Sequence, residues 1–129
     1  VQAGNLAPMA RLVAYAHAGV EPELMGLGPI PATRLALKRA GLKIGDMDVI
    51  EANIAFAAQA CAVMQELDMD PARVNPNGSG IALGHPVGAT GAIIATKAIH
   101  ELHRTQGRYA LATMCIGGGQ GIAVIFERV

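Results

Sequence analysis

The sequence predicts an α/β fold, a layered sheet with packed helices, and three observations predict it. Strand-like apolar runs alternate with segments of helical periodicity. Two strand-like runs near the C-terminal end are joined by a tight turn at Gly117, Gly118 and Gly119. Hydrophobic residues make up 52% of the 129, yet aromatics make up only 3%. That leaves small aliphatics and alanine, which suit close helix-on-sheet packing, and part of the apolar surface is expected to meet protein outside this chain.

The elements follow in order. Residues 1–6 read as a loose tail, and residues 7–129 as one domain, a length that can bury a real core. Residues 10–18 are apolar and β-compatible, ended by Gly19 and Pro22, and the glycines and prolines of residues 26–31 predict a loop. A helix is expected over residues 33–40, with Leu35, Ala36, Arg39 and Ala40 near one face. Gly41 is placed for a left-handed C-cap, so Leu42 can pack back on Leu37. Residues 48–52 form a short strand. Residues 54–67 read as a second helix, with Phe56, Ala60, Val63, Met64 and Leu67 at helical spacing and Cys61 inside it as a core residue. A third helix spans residues 89–105, with Ile94, Ala95, Ala98, Ile99 and Leu102 on one side. Strands over residues 108–114 and 122–126 complete the pattern.

Ten basic and ten acidic side chains cancel, which argues against a nucleic-acid or membrane-surface partner. No run of 18 apolar residues suggests a membrane span. Two cysteines do not make a disulfide framework, so a reducing, cytoplasmic setting is expected. His100 and His103 lack the spacing of a zinc protease and read as a solvated helix face. Residues 78–84 are one residue too long for a dinucleotide fingerprint, and neither a metal nor a nucleotide is expected.

Residues 75–88 (Asn-Pro-Asn-Gly-Ser-Gly-Ile-Ala-Leu-Gly-His-Pro-Val-Gly) concentrate the chemistry. They set His85 in a glycine-lined loop, where Pro86 disfavours helix at the histidine. A helical pattern begins near Thr90, and its free N–H groups can face the same place. Thirty residues on, Cys115-Ile116-Gly117-Gly118-Gly119 ends an apolar strand in a similar way. Histidine and cysteine on separate loops form a constellation that thiol and carbonyl chemistry can use. Alone, each has a plainer reading: His85 as a turn residue, Cys115 as a small buried hydrophobe.

The segment Gly84-His85-Pro86-Val87-Gly88-Ala89-Thr90-Gly91 resembles the C-terminal half of a thiolase. So do Asn75-Pro76-Asn77-Gly78 before it, Cys115-Ile116-Gly117-Gly118-Gly119 after it, and Met25 to Thr33 upstream. The likeness runs from about Leu6 to Val129 and is closest to bacterial acetyl-CoA acetyltransferases and β-ketothiolases. It implies a mixed five-stranded sheet with helices on both faces, packed on a similar N-terminal domain absent from this chain. It further implies reversible Claisen condensation and thiolysis of acyl-CoA thioesters, with coenzyme A thioester as substrate, no separate cofactor, and a homo-oligomeric full enzyme.

The same resemblance assigns roles. His85 matches the histidine that activates a nucleophilic cysteine and then donates to a thioester oxygen, tasks that suit an imidazole of ordinary pKa about 6.5. Cys115 matches the cysteine that removes an α-proton, and the Gly117 amide matches an oxyanion-hole donor. Gly84 and Gly118 fall in the substrate-proximal loops. Asn53 matches an asparagine that holds a water for the enolate; read alone, it is a helix N-cap. The chain departs from the family at Ile54, where glutamate is usual, and that departure favours an alternative, a non-catalytic thiolase-like binding or assembly domain. A ketoacyl synthase is a weaker third reading. The nucleophile itself is expected in the N-terminal domain, so this polypeptide alone is expected to be inactive.

Overall fold

In the computed structural model, which describes residues 4–129, strand β1 (Ala10–Gly19) leads through a 3-10 segment to helix α1 (Pro29–Ala40). Strand β2 (Val49–Ala52), helix α2 (Ala57–Glu66), the one-turn helix α3 (Gly80–Leu83) and helix α4 (Thr90–Thr105) follow. The hairpin of β3 (Tyr109–Ile116) and β4 (Gln120–Arg128) ends the chain. Residues 1–3 of the expected tail lie outside the described residues; Gly4, Asn5 and Leu6 are exposed.

The strands form one mixed sheet in the order β1-β4-β3-β2. β1 and β3 flank β4 antiparallel, and β2 runs parallel to β3. The sheet has four strands, not the five that the resemblance implies. Beyond β2, among the described residues, strand-like pairing is limited to one isolated bridge, Ile50 to Val74. Asn75 then takes a positive φ of 49°, and Pro76 has no N–H to donate, so pairing stops there.

Side chains alternate across β3 and sort into two layers. Leu111 joins Ile30, Ala36, Leu37, Ala123 and Ile125 beneath α1. Ala110 joins Val49, Ala98 and Leu102 beneath α4, so helices do cover both faces. α4 packs mainly on β2 and β3. It leaves Ile122, Val124 and Phe126 of β4 half-buried and Tyr15 of β1 exposed.

Several helix expectations change. α1 begins at Pro29, not Thr33, because proline at the first positions loses no needed hydrogen bond and its φ is preset for helix. Its buried face is Ile30, Thr33, Ala36 and Leu37, and Arg39 points outward. Its end agrees with the sequence reading: Gly41 is left-handed (φ 67°), and the Leu42 N–H donates to the Leu37 carbonyl. α1 lies so close to β4 that a Cβ on Gly121 would sit 2.0 Å from the Gly28 carbonyl oxygen, which only glycine permits. α2 starts at Ala57, with Phe56 extended and exposed before it, and Cys61 faces solvent instead of the core. On α4, Glu101 is buried, so the His100–His103 segment is only partly a solvated face.

Candidate active site

His85 is held from the helix that follows it. The Pro86 peptide keeps residue 85 out of α4, and the helix starts four residues after the proline. Its first residue, Thr90, is buried; its Oγ1 donates to the Pro86 carbonyl at 3.0 Å and lies 2.7 Å from His85 Nδ1. A hydroxyl has one proton, so both contacts are satisfied only if the Nδ1–H donates to Oγ1. That leaves Nε2 bare, able to accept a proton.

Cys115 sits near the end of β3, opposite Gly121 of β4, and is buried. Burial pushes its thiol above the ordinary range, against an opposing backbone hydrogen bond. Its thiolate is correspondingly scarce and, once formed, strongly basic. After Ile116 the chain turns through Gly118 and Gly119, both at φ 86°.

The structure brings His85, Cys115 and Gly117 to the wall of one open cleft of about 530 Å³. Met25, Phe56, Val87 and Met114 supply apolar lining. A Cβ on Gly117 would meet nothing within 4 Å, so its backbone is open to a ligand. Gly84 (φ 96°) and Gly118 are the neighbouring turn residues of His85 and Gly117.

Asn53 is not on that wall. It is buried, its N–H donates to the Thr113 carbonyl at 2.9 Å, and it is among the residues lining a separate cavity of about 10 Å³. Asn53 Nδ2 and Gln59 Oε1, of two residues on its lining, are buried and have no hydrogen-bond partner among the described residues. Nor is Asn53 an N-cap, since α2 begins four residues later without a side-chain cap. Ile54 lines this cavity and an apolar groove with Met64, Val74 and Ile81, not the His85–Cys115 cleft.

The loop over residues 75–85 is gripped from two sides. Asn75 exchanges two hydrogen bonds with the Ala52 backbone at 2.9 and 2.8 Å, and Ser79 Oγ accepts from the Ile54 N–H at 3.0 Å. From α4, Glu101 accepts from Asn77 at 2.9 Å, and Lys97 bonds the Gly78 carbonyl and Glu51. Sequence reasoning missed Thr90 and Lys97. Thr90 had a signal, a hydroxyl five residues after the histidine at a helix start; Lys97 had none.

Residues 6–128 match the family model described as the thiolase C-terminal domain. The chain belongs to the thiolase family. This thiolase domain is 73% identical to a β-ketothiolase of Cupriavidus necator over 97% of its length, covering 32% of that relative. It is 67% identical to the 3-oxoadipyl-CoA/3-oxo-5,6-dehydrosuberyl-CoA thiolase of Escherichia coli, covering 98% of the chain and 32% of the relative. The crystal structure of human mitochondrial 3-ketoacyl-CoA thiolase superposes with a TM-score of 0.97 at 50% identity, over 99% of this chain and 32% of that one. A second structure of the human enzyme is a complex with CoA. The thiolase domain thus spans about a third of the length of the relatives it matches.

Proposed function

We propose that this thiolase domain supplies the acid–base half of an active site for reversible Claisen condensation and thiolysis of acyl-CoA thioesters. One observation carries the reading: His85 on a loop and Cys115 near the end of β3, thirty residues apart in the chain, share one cleft with the Gly117 backbone on its wall.

The chemistry follows from the two side chains. His85, with Nε2 bare, accepts the proton of a nucleophilic cysteine supplied by the remainder of the protein. That cysteine then takes an acyl group from one acyl-CoA, and the departing CoA thiolate takes the Cys115 proton and leaves as free CoA thiol, so that Cys115 becomes the thiolate. The protonated imidazole can donate Nε2–H to the thioester oxygen of a second acyl-CoA. Cys115, as thiolate, removes the α-proton of that thioester, its raised pKa making it the stronger base. The enolate attacks the acyl-cysteine carbonyl; a C–C bond forms, the C–S bond to the enzyme breaks, and the cysteine leaves as thiolate. Thiolysis is the reverse. His85 and the Gly117 amide are the donors assigned to developing oxyanions. Neither cysteine here suits the nucleophile's part, since Cys61 lies outside the cleft and Cys115 is the base.

Asn53 enters this reading differently from expectation. A cavity of about 10 Å³ lined by an amide donor and a carbonyl acceptor is the size and chemistry of one water. Such a water would lie between Asn53 and Gln59, outside the cleft that His85 and Cys115 share. The reaction needs no metal or redox cofactor, because the thioester itself acidifies the α-carbon. We assign the open apolar face of β4 to an N-terminal thiolase domain, with the full protein a homo-oligomer that binds CoA in a reducing compartment. Among the described residues no helix is long and apolar enough to cross a membrane.

The test is a chimera in which this chain replaces the corresponding third of the Cupriavidus necator β-ketothiolase. Loss of acetoacetyl-CoA on adding free CoA should be catalysed by the chimera and not by this chain alone. A folded, inactive chimera would overturn the reading, as would turnover by the isolated chain.

A further inference from the structure

We infer that Lys97 is a positioning residue for the proposed reaction, clamping the loop that carries His85 to β2 through Gly78 and Glu51; this rests on the thiolase chemistry above. Lys97 Nζ donates to Glu51 Oε2 at 2.7 Å and to the Gly78 carbonyl. Glu51 is fully buried on β2, and the Lys97 side chain is 17% exposed. One ammonium therefore joins three elements: an edge strand, the glycine loop and α4.

The geometry carries this grip toward His85. Gly78 holds a positive φ of 80°, and Asn77 beside it is tied to Glu101. Two residues on, α3 begins at Gly80, packed so tightly that a Cβ would lie 2.6 Å from the Ile54 carbonyl oxygen. α3 then leads through Gly84 to His85. Thr90, Lys97 and Glu101 stand at i, i+7 and i+11 of α4, close to one face of the helix. Thr90 holds His85 itself, so a single helix face holds both ends of the segment between Asn77 and His85. Releasing Gly78 loosens one end, which Asn77 and Ser79 then hold alone, and lets the imidazole drift relative to Cys115. A buried pair of this kind adds little stability over an apolar replacement of similar volume, which separates its positioning role from a stabilising one.

The experiment uses the chimera with K97M and with the double variant E51Q/K97M. The single change strands a buried carboxylate and can unfold the domain; the double change removes both charges and tests the clamp directly. The readouts are kcat and KM for thiolysis, melting temperature, and amide exchange over residues 76–84. The expected result for E51Q/K97M is a kcat lower by about ten- to a hundredfold, with KM within about threefold and faster exchange in the loop, since small misplacements cost that much. A kcat within twofold of the parent overturns the inference, as does a kcat loss with unchanged loop exchange. If the unsubstituted chimera has no thiolase activity, the functional reading fails, and loop exchange then decides alone whether Lys97 is the clamp.

Discussion

His85 Nδ1 and Thr90 Oγ1 are 2.7 Å apart, and the threonine hydroxyl is already committed to the Pro86 carbonyl. The hydroxyl therefore acts as an acceptor toward the imidazole. It selects one tautomer and one ring orientation, and it does so from the first residue of α4, whose backbone is fixed by the helix.

Thr90→Val keeps the shape of this residue and removes the oxygen. In the chimera it should lower kcat by about tenfold or more, part of the 10²–10⁴ that acid–base catalysis contributes, while Thr90→Ser retains most activity. Equal rates for the valine and serine variants would show that the hydroxyl does not set the tautomer.

Cys115→Ala should lower condensation by about 10²–10⁴-fold yet leave acyl-enzyme formation detectable as a burst, since the two steps use different thiols. Burial also raises the Cys115 thiol, so its reaction with iodoacetamide should lag behind free cysteine at neutral pH. The rate should keep rising above about pH 8.5, where free thiols level off. Peptide mapping of labelled protein against pH measures this.

Glu101 gives a stability prediction. The Arg104 guanidinium, together with the Asn77 amide, holds its carboxyl down to about 2 from an ordinary 4.5, against the opposing effect of burial. A depressed carboxylate contributes stability above its unfolded pKa and loses it as pH falls through the folded one. The window is thus from about 4.5 down to about 2. Because Arg104 is mostly in solvent, screening makes the stability at stake smaller than the full shift would give. The carboxyl carbon NMR shift of Glu101 should titrate below the ordinary carboxylate range, and Glu101→Gln should flatten the stability loss in that window.

Ile54→Glu tests the one departure from the family pattern. Were this position an electrostatic support of the site, the change would raise kcat. The side chain instead lines an apolar groove with Met64, Val74 and Ile81, away from the His85–Cys115 cleft. The expected outcome is an unchanged kcat in the chimera and a stability loss of about 1–2 kcal/mol from burying a carboxylate in part. A several-fold gain in kcat at unchanged melting temperature would restore the electrostatic role.

Much of the fold was legible because its causes are local. The Gly41 cap, the strands on either side of the triple glycine and the start of α4 depend on backbone propensities and periodicity that travel with the residues themselves. The loops bearing His85 and Cys115 were legible for the same reason, since Pro86 and the glycines restrict or free the chain wherever it lies. The start of α1 was misread because Pro29 and Pro31 break a helix interior yet favour its first turn, and position decides between the two.

Packing decided the rest. Asn53 reads as a site residue in one dimension; in the fold it is buried and lines a small cavity with Gln59, and it is not among the residues lining the His85–Cys115 cleft. Cys61 lies in an apolar run yet faces solvent, because α2 turns Val63 inward and Cys61, two residues before it, falls on the opposite side of the helix. The expected fifth strand is not formed; beside β2 there is an isolated bridge at Val74, and Asn75 then turns aside. By itself the sequence determined the elements, the family and the chemistry-bearing residues, since these rest on residue identity and short-range conformation. Only the tertiary structure decided who touches whom: Thr90 on His85, Lys97 between Glu51 and Gly78, Cys115 buried to a raised pKa. Hydrogen bonds and desolvation act between groups far apart in the chain, and spacing along the chain does not encode that distance.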